Sequence, residues 1–355
     1  MPPIRLQIWN PRPVHRGDDE TAGHATRMRI LVTGGTGFIG RHLVRALLEG
    51  GHQVDVLSRA ASRQAAEGSP PGGARAIVGD LVTDDLGRLL PNDLEVVYHL
   101  AAMGSVGECI AQPHPCFQVN ALGTQKVLEA ARNRHVRRLI LASSVYVYGD
   151  VQRFPTPEDI GLSPNNLLGA SKAAAEHLAR AYAISYDLPV TVFRPFTVYG
   201  PGSKPHQLIP SLIEEIFHAP FVSVGDPDAT RDFVHVHDVV KGLLRGLQDT
   251  QPFSVFNLGT GVETSIAGLV ELLLSMTQTP EKEVRVWQQA PRVDERGRRS
   301  RQCAEISRAS SCLSWRPTVS LRDGLSALIA QIRKTDASPH GIARSAARAG
   351  SESHV

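Results

Sequence analysis

The sequence predicts an α/β protein: a doubly wound parallel sheet with a smaller C-terminal lobe. From Met28 onward, apolar strands alternate with helical segments, and a glycine-rich turn joins the first strand to the first helix. Beyond residue 195 the chain becomes richer in proline and its elements become shorter. Because strands that alternate with helices pair in parallel and are covered on both faces, one large sheet is expected to form the core.

The length and composition are those of a globular protein. The 355 residues are 42% hydrophobic and 21% charged, with a net charge of +3, which allows one large core. No Lys/Arg cluster interleaved with aromatic residues occurs in the body of the chain, so nucleic acid is not an expected partner. The chain shows neither a signal-peptide core nor an apolar run long enough to span a membrane, so we expect neither secretion nor membrane insertion.

The four cysteines predict no metal site and no disulfide framework. Cys109, Cys116, Cys303 and Cys312 have neither CxxC spacing nor matched histidine pairs, which zinc sites typically show. A reducing, cytoplasmic location fits this pattern best.

The elements follow one another in order along the chain. Residues 1–27 and 334–355 lack periodicity and are predicted to be disordered. Residues 28–195 form the predicted main domain, and residues 196–333 mainly the second lobe, from which a strand near residues 233–237 is expected to return to the main sheet. The expected strands of the main domain are MRILVT, HQVDVLS, ARAIVGD, LEVVYHLAA, VRRLILASS and LPVTVFRP.

The glycine turn predicts a dinucleotide site. VTGGTGFIG places Gly35, Gly37 and Gly40 in GxGxxG spacing, and Gly34, Gly37 and Gly40 in GxxGxxG spacing, between a strand and a helix. Glycines at these positions let the backbone turn tightly and approach a pyrophosphate, while the helix N-terminus offers free N–H groups and a partial positive charge. The main domain is therefore expected to bind a dinucleotide cofactor.

The end of the second strand favours NADP over NAD. Asp55 lies inside the strand, whereas the tip carries Ser58 and Arg59, with Arg63 following. A carboxylate at the tip would accept a hydrogen bond from a ribose hydroxyl, but a hydroxyl and a guanidinium suit a 2′-phosphate. Asp80, which ends the next strand, is expected either to contact the adenine or to cap a helix.

Eight motifs in order make the chain resemble a known family. They run from about Met28 to Ile332 and read TGGTGFIG, HLAAMGSVGECIAQP, VNALGT, SSVYVYG, GASKAAAE, RPFTVYGPG, RDFVHVHDVV and NLGTG. The pattern resembles the extended short-chain dehydrogenase/reductases, specifically the NAD(P)-dependent nucleotide-sugar epimerase/dehydratase group. This resemblance implies a Rossmann domain that binds NAD(P), a C-terminal lobe that holds a nucleoside-diphosphate sugar, hydride transfer at a ring carbon, and a homodimer formed through a four-helix bundle.

The resemblance also implies roles for individual residues. Ser144 matches the residue that hydrogen-bonds the reacting sugar oxygen, and Lys172 matches the lysine that holds the nicotinamide ribose. Arg231 matches the arginine that grips the substrate diphosphate, and Asn120 matches the active-site asparagine. Arg292 falls where the family often has a second phosphate-binding arginine. The expected cofactor contacts are Gly34, Gly37, Phe38, Ile39, Gly40, Ser58, Arg59, Arg63, Asp80, Leu81 and Lys172.

Two positions depart from the family pattern. Thr197 replaces an asparagine after RPF and keeps a hydroxyl donor, whereas Leu168 replaces the catalytic tyrosine four residues before Lys172. On a helix, residues i and i+4 share a face, so the ammonium can lower the pKa of the family's phenol from about 10 toward neutrality. A leucine can neither accept nor donate the proton.

Tyr146 is the candidate for the missing phenol. If the backbone after Ser144 stays extended, side chains two residues apart leave the same side of the strand, and both would face the sugar. The alternative is an aromatic side chain packed at the end of the sheet, and for Tyr148 a structural role is expected. For Lys172, the alternative role is a surface ion pair with Glu176.

Three hypotheses for the function stay open. The first, which uses every motif, is a cytoplasmic, NADP-preferring enzyme that acts on a nucleotide-activated sugar with an atypical acid/base group. The second is an enzyme that uses the same scaffold for a non-redox cyclisation or elimination. The third is a catalytically silent NADP-binding protein that regulates or binds a partner. Ser144 and Arg231 favour a retained substrate pocket, whereas Leu168 favours one of the alternatives.

Overall fold

The computed structural model describes residues 27–59, 71–286 and 300–336. Its strands are β1 (Arg29–Thr33), β2 (Gln53–Ser58), β3 (Arg75–Val78), β4 (Val96–His99), β5 (Arg138–Ala142), β6 (Val190–Pro195), β7 (Thr197–Tyr199), β8 (Val222–Val224), β9 (Thr230–Arg231), β10 (Phe233–His235), β11 (Phe253–Leu258), β12 (Thr264–Ser265) and β13 (Val284–Val286). Its α-helices are α1 (Phe38–Glu49), α2 (Leu86–Leu89), α3 (Val106–Ala111), α4 (Pro113–Phe117), α5 (Gly123–Asn133), α6 (Leu167–Tyr186), α7 (Leu208–His218), α8 (Val236–Arg245), α9 (Ile266–Thr277), α10 (Ser307–Leu313) and α11 (Leu321–Asp336).

The main sheet has seven strands in the order β11-β6-β5-β4-β1-β2-β3, and every pairing in it is parallel. Side chains of β1 alternate between its two faces. Leu31 packs with residues of α2, α5 and α6, whereas Ile30 and Val32 pack with residues of α1, α8 and α10. Because helices cover both faces, the central strands β1, β4 and β5 are almost entirely buried, whereas three of the four residues of the edge strand β3 are exposed. The predicted doubly wound parallel sheet is confirmed.

The strand predicted near residues 233–237 does not return to the main sheet. β10 instead pairs with β7 in a separate two-stranded parallel sheet, and α8 begins at Val236. The strand that does return is β11, which pairs with β6 along six residues. The physical reason is length: β10 has three residues, the last of which, His235, caps α8, and this is too few to extend along the edge that β6 offers.

The second lobe has its own apolar core. Ile213 of α7, Leu269 of α9 and Leu325 of α11 are fully buried together with residues of β8. α11 continues to Asp336, past the predicted start of the tail at residue 334, whereas the rest of that tail and residues 1–26 lie outside the described residues. Within the described ranges, no helix combines the length and the apolar character needed to cross a bilayer.

Cys109 and Cys116 form a disulfide, which corrects the prediction from the cysteine spacing. Their Cα atoms lie 5.2 Å apart, because the short helices α3 and α4 meet at Gln112 and bring residues seven apart in sequence together. Both cysteines are buried beside Leu168. Cys303 and Cys312 are free thiols.

Candidate active site

A cleft of about 1990 Å³ runs from the N-terminus of α1, past the ends of β5 and β6, to the second lobe. Ligands of open parallel sheets bind outside the carboxyl ends of the strands, where this cleft lies. It brings together many of the residues that the sequence selected, and two others, Arg63 and Arg292, lie outside the described residues. The selected residues that line it are Gly34, Gly37, Phe38, Ile39, Gly40, Ser144, Tyr146, Lys172, Thr197 and Arg231.

The glycine turn has the shape that a dinucleotide phosphate needs. Gly34 has a φ of +73°, and a Cβ there would lie 2.8 Å from the Cα of Ala101. A Cβ at Gly40 would lie 2.8 Å from the Cα of Gly35. No side chain caps α1 at Gly37, so the first N–H groups of the helix are not blocked by a capping residue. The turn therefore fits a pyrophosphate against the helix N-terminus.

The tip of β2 carries no available carboxylate from Asp55. That side chain is fully buried, and it pairs with Arg29 at 2.9 Å and with Arg75 at 2.5 Å. Ser58 is half-buried at the end of the strand, and Arg59, which follows it, is exposed. The Asp55 carboxylate is thus occupied by a buried ion-pair cluster and is not exposed to accept a hydrogen bond from a ribose.

Asp80 holds a turn and does not cap a helix. Its Oδ1 accepts a hydrogen bond from the N–H of Val82 at 2.6 Å, and the next helix, α2, is capped by Asp85. Leu81 is buried and packs into the main core. The helix-cap alternative for Asp80 is therefore wrong, and the adenine contact stays a prediction.

Lys172 lies in the middle of the cleft wall and is nearly buried. Its Nζ donates a hydrogen bond to the carbonyl of Ala142 at 2.7 Å. Burial lowers the pKa of this ammonium to about 8, and the carboxylate of Glu176 partly offsets the effect. Glu176 is also buried, and it pairs with Arg194 at 2.6 Å while accepting a hydrogen bond from Ser143. The surface ion pair considered for Lys172 and Glu176 is therefore wrong.

Leu168 occupies the first turn of α6 and is 2% exposed. It lines the cleft, and it also packs into an apolar cluster behind the cleft wall. A tyrosine at this position would have to place its ring among these side chains. The cluster comprises Leu168, Cys109 and Cys116, with Met103, Val106 and Tyr146 packed against it.

Tyr146 does not lie on an extended strand. The segment Val145–Val147 forms a 3₁₀ turn, and the Oγ of Ser144 accepts a hydrogen bond from the Tyr146 N–H at 3.3 Å. The expected alternation from Ser144 is thus replaced by a capped turn, yet both side chains still line the cleft. Tyr148 is buried and donates a hydrogen bond from its hydroxyl to Asn257 at 2.7 Å, a structural role.

Arg231 lies at the far end of the cleft, in the second lobe. Its Nη1 donates a hydrogen bond to the carbonyl of Thr230 at 2.6 Å. Burial lowers the pKa of this guanidinium, and the neighbouring Tyr146 phenol partly offsets that effect. Thr197 also lines the cleft and donates a hydrogen bond from its hydroxyl to Gln302 at 3.2 Å. Arg231, Thr197 and Tyr146 therefore line the same cleft.

The same end of the cleft contains residues that the sequence did not single out. Arg301 pairs with Glu263 at 2.6 Å, and its guanidinium lies 4.3 Å from the ring centroid of Phe154. All three line the cleft. Arg301 belongs to an Arg-rich run that ends in RRSRQ, and this run is visible in the sequence. Glu263 and Phe154 come from distant segments, and no motif in the sequence indicates them.

Asn120 lies behind the cleft wall and not on it. It is 1% exposed, within the π-helical turn Gln118–Leu122. Its amide accepts from the N–H of Met103 at 2.8 Å and donates to the Met103 carbonyl at 3.0 Å and to the Ser171 hydroxyl at 2.9 Å. The predicted substrate contact is therefore replaced by a supporting position between the loop before α3 and the helix α6.

Comparison with known proteins gives a consistent result. Residues 30–259 match the NAD dependent epimerase/dehydratase family. The chain is 36% identical to UDP-glucose 4-epimerase of Mycolicibacterium smegmatis, over 84% of this chain and 96% of that protein. Among solved structures, UDP-glucose 4-epimerase of Thermotoga maritima with UDP-glucose is 32% identical with a TM-score of 0.78, covering 87% of this chain and 99% of the other. The dehydratase DesIV of Streptomyces venezuelae, with NAD bound, is 30% identical with a TM-score of 0.78, covering 87% and 98%.

The chain therefore belongs to the NAD-dependent epimerase/dehydratase family, whose members compared here are enzymes of nucleotide-sugar metabolism. The resemblance to extended short-chain dehydrogenase/reductases is confirmed, and so is the Rossmann-type fold class. The family is described as NAD dependent, and the solved relative MoeE5 contains bound NAD.

Proposed function

We propose that this protein is an NADP-preferring enzyme that modifies a nucleoside-diphosphate sugar by hydride transfer at a ring carbon, with Tyr146 as its acid/base group. One observation carries the proposal: a single cleft joins the dinucleotide turn at Gly34, the pair Ser144 and Lys172 in its middle, and Arg231 at its far end. The glycine turn and Lys172 would hold the dinucleotide, which would supply hydride chemistry at the sugar carbon. The protein's own residues bind and orient the sugar, and they exchange its proton.

The proton chemistry is assigned to the phenol that the cleft still contains. Leu168 cannot exchange a proton, and the Ser144 hydroxyl is too weak an acid to act alone. Tyr146 lines the same cleft as Ser144, and the fixed positive charge of Arg231 lies near its phenol. Arg231 is thus a cation that shares the cleft with this phenol.

The preference for NADP is supported by the tip of β2. Ser58 and Arg59 are the residues that follow the buried part of this strand, and Asp55 is committed to its arginine partners. A guanidinium offers two parallel N–H donors that match a phosphate, whereas a ribose hydroxyl can accept only one of them well. DesIV and MoeE5, two solved relatives, contain NAD, so an NADP preference would be a departure of this chain from them.

The substrate class follows from the far end of the cleft and from the relatives. UDP-glucose, UDP-glucuronic acid and NAD are bound in solved relatives. Arg231 is mostly buried there and still lines the cleft. Because burial removes water from its guanidinium, a bound anion such as a phosphate would stabilise the charge. We therefore extend the nucleoside-diphosphate sugar class to this chain.

A homodimer is part of the same proposal. Large apolar side chains are exposed on the helical layer formed by the π-helical turn and α6, notably Leu122 at 52%, Ile184 at 70% and Tyr186 at 51%. Exposed apolar patches of this kind mark protein–protein contact surfaces. A second copy that presents the same helices would bury them through a four-helix arrangement.

Native mass spectrometry followed by substrate screening tests these assignments together. The expected spectrum shows a dimer with NADP(H) retained, and a panel of nucleotide sugars then yields product detected by nicotinamide absorbance and chromatography. Cofactor retention without turnover on any nucleotide sugar would favour the non-redox enzyme instead. That candidate is kept because Leu168 fills the tyrosine position with an apolar side chain. Absence of any bound or titratable dinucleotide would refute the proposal.

A further inference from the structure

A buried carboxylate lies one helical turn after Lys172 on α6. Glu176 is 4% exposed and is held by Arg194 of β6, with Nη2 to Oε2 at 2.6 Å and Nε to Oε1 at 3.0 Å. It also accepts a hydrogen bond from the hydroxyl of Ser143. Removing two charges from water is costly unless each charge is fully partnered. The hydrogen bonds between Glu176, Arg194 and Ser143 supply those partners.

The network continues beyond the arginine. Arg194 donates from Nη1 to the Tyr148 hydroxyl at 2.9 Å, and its guanidinium lies 4.7 Å from the centroid of that ring. Tyr148 in turn donates to Asn257 at 2.7 Å. The contacts thus connect α6, β6, β11 and the turn after β5 through buried side chains.

The last residue of β5, Ala142, and the residue after it, Ser143, are both attached to α6. The carbonyl of Ala142 accepts a hydrogen bond from Lys172 at 2.7 Å, and the hydroxyl of Ser143 donates to Glu176. The next residue is Ser144, whose side chain lines the cleft. The position of the Ser144 hydroxyl therefore depends on the two preceding attachments.

We propose that Glu176 is a positioning residue: it fixes the segment that presents Ser144 to the cleft and holds a carboxylate one helical turn from the ammonium of Lys172. The proposal rests on the proposed function, in which Lys172 holds the cofactor ribose. Glu176 is not among the residues that line the cleft, so it acts through Ser144 and Lys172 and not on a ligand directly.

The electrostatics around Lys172 agree with this geometry. Burial lowers the Lys172 pKa to about 8, and Glu176 acts in the opposite direction. The other titratable neighbours are Arg194, whose charge is paired with Glu176, Tyr146 on the 3₁₀ turn, and His99 on β4. His99 is neutral because burial lowers its pKa to about 3. Glu176 is therefore the negative charge that supports the ammonium.

Competitive labelling of the Lys172 amine tests the coupling without requiring turnover. The full-length protein is labelled with acetic anhydride across a pH series, and the peptide that contains residue 172 is quantified by mass spectrometry. In Glu176→Gln the labelling midpoint is expected to fall by about one pH unit, from the loss of a charge one helical turn away in a partly desolvated site. Glu176→Asp, which keeps the charge, is expected to restore most of the midpoint.

Asp249→Asn is the matched control. Asp249 pairs with Arg138 at 3.3 Å, and both are buried at the opposite end of β5. This variant also leaves a buried arginine without its partner, so it reproduces the destabilisation but should leave the Lys172 midpoint in place. Equal midpoints for wild type and Glu176→Gln would overturn the proposal, and so would an equal shift in Asp249→Asn.

Two further measurements keep the result decisive. Where Glu176→Gln does not fold, the double variant Glu176→Gln, Arg194→Met leaves no buried arginine without its carboxylate. A downward shift smaller than that of Glu176→Gln is expected, because a positive charge is removed together with the negative one. Titration with NADPH by fluorescence, as a function of pH, gives the separate readout for the proposed function. Wild type that binds no dinucleotide would refute the function, while the labelling midpoints would still decide the role of Glu176.

Discussion

Moving a phenol between positions 146 and 168 tests the proposed acid/base assignment. Tyr146→Phe removes one hydroxyl and keeps the ring that packs against Leu168. General acid/base groups contribute about 10²–10⁴-fold in rate, which corresponds to about 3–5 kcal/mol of transition-state free energy. We therefore expect turnover of the identified substrate to fall by about two to four orders of magnitude, with the melting temperature unchanged.

Leu168→Tyr is the complementary change. It places a phenol four residues before Lys172, where the family pattern implies one, but inside a cluster that is nearly closed to solvent. Added volume in a packed core costs about 1–3 kcal/mol, so a lower melting temperature is expected together with retained turnover. In this background Tyr146→Phe is expected to reduce turnover by less than about tenfold, because a second phenol can carry the proton.

The four proteins form a double-mutant cycle, which isolates the coupling between the two positions. Turnover is measured by nicotinamide absorbance and product chromatography, and stability by thermal melting of each variant. Two results would contradict the reasoning: full turnover in Tyr146→Phe, or an equal fold-loss from Tyr146→Phe in both backgrounds. The latter would mean that Tyr146 acts only through packing or substrate binding.

Three further outcomes are expected. Arg231→Lys should weaken UDP binding by about 10-fold or more in calorimetry and leave NADPH binding intact, since an ammonium lacks the forked donors that suit phosphate; equal weakening of both ligands would contradict this. His99 has its pKa held at about 3 against 6.5 ordinarily, so the unfolded chain binds more protons between these values. Denaturant-measured stability should therefore fall as pH drops through that window and less so in His99→Gln; identical profiles would contradict this. Reducing the Cys109–Cys116 disulfide, with its sequence separation of 7, should cost about 2–3 kcal/mol of stability, and an unchanged unfolding midpoint with dithiothreitol would contradict that.

The main sheet could be predicted because its signals are local. Each of the first six strands is a short apolar run between a turn and a helix, and burial on both faces makes such runs conspicuous. β11 has the same apolar character, but nothing in its own residues says that it pairs with β6 instead of β10. That choice is made by the length of the edge that β6 presents, which is a property of the assembled sheet.

The parts of the site that lie in contiguous motifs could be predicted, and the parts that depend on tertiary contacts could not. The glycine turn, Ser144, Lys172 and Arg231 belong to contiguous motifs, and all of them line the cleft. The pairing of Cys109 with Cys116 depends on the angle between two short helices, which spacing does not encode. Asn120 was placed at the substrate because its motif is a site motif, but a π-helical turn directs its amide at Met103 and Ser171.

In the proposed mechanism, the cation near the acid/base group differs from the one that the family resemblance implies. The resemblance implies a lysine that serves both a phenol and the cofactor, so that a single titration would affect both. In the arrangement proposed here, Tyr146 shares the cleft with Arg231, whose guanidinium remains protonated although burial lowers its pKa. Lys172, with its pKa at about 8, is left to the cofactor alone. Raising the pH through 8 should therefore increase the KM for the dinucleotide while kcat at saturating cofactor holds, and a parallel fall in kcat would show that Lys172 still serves the proton transfer.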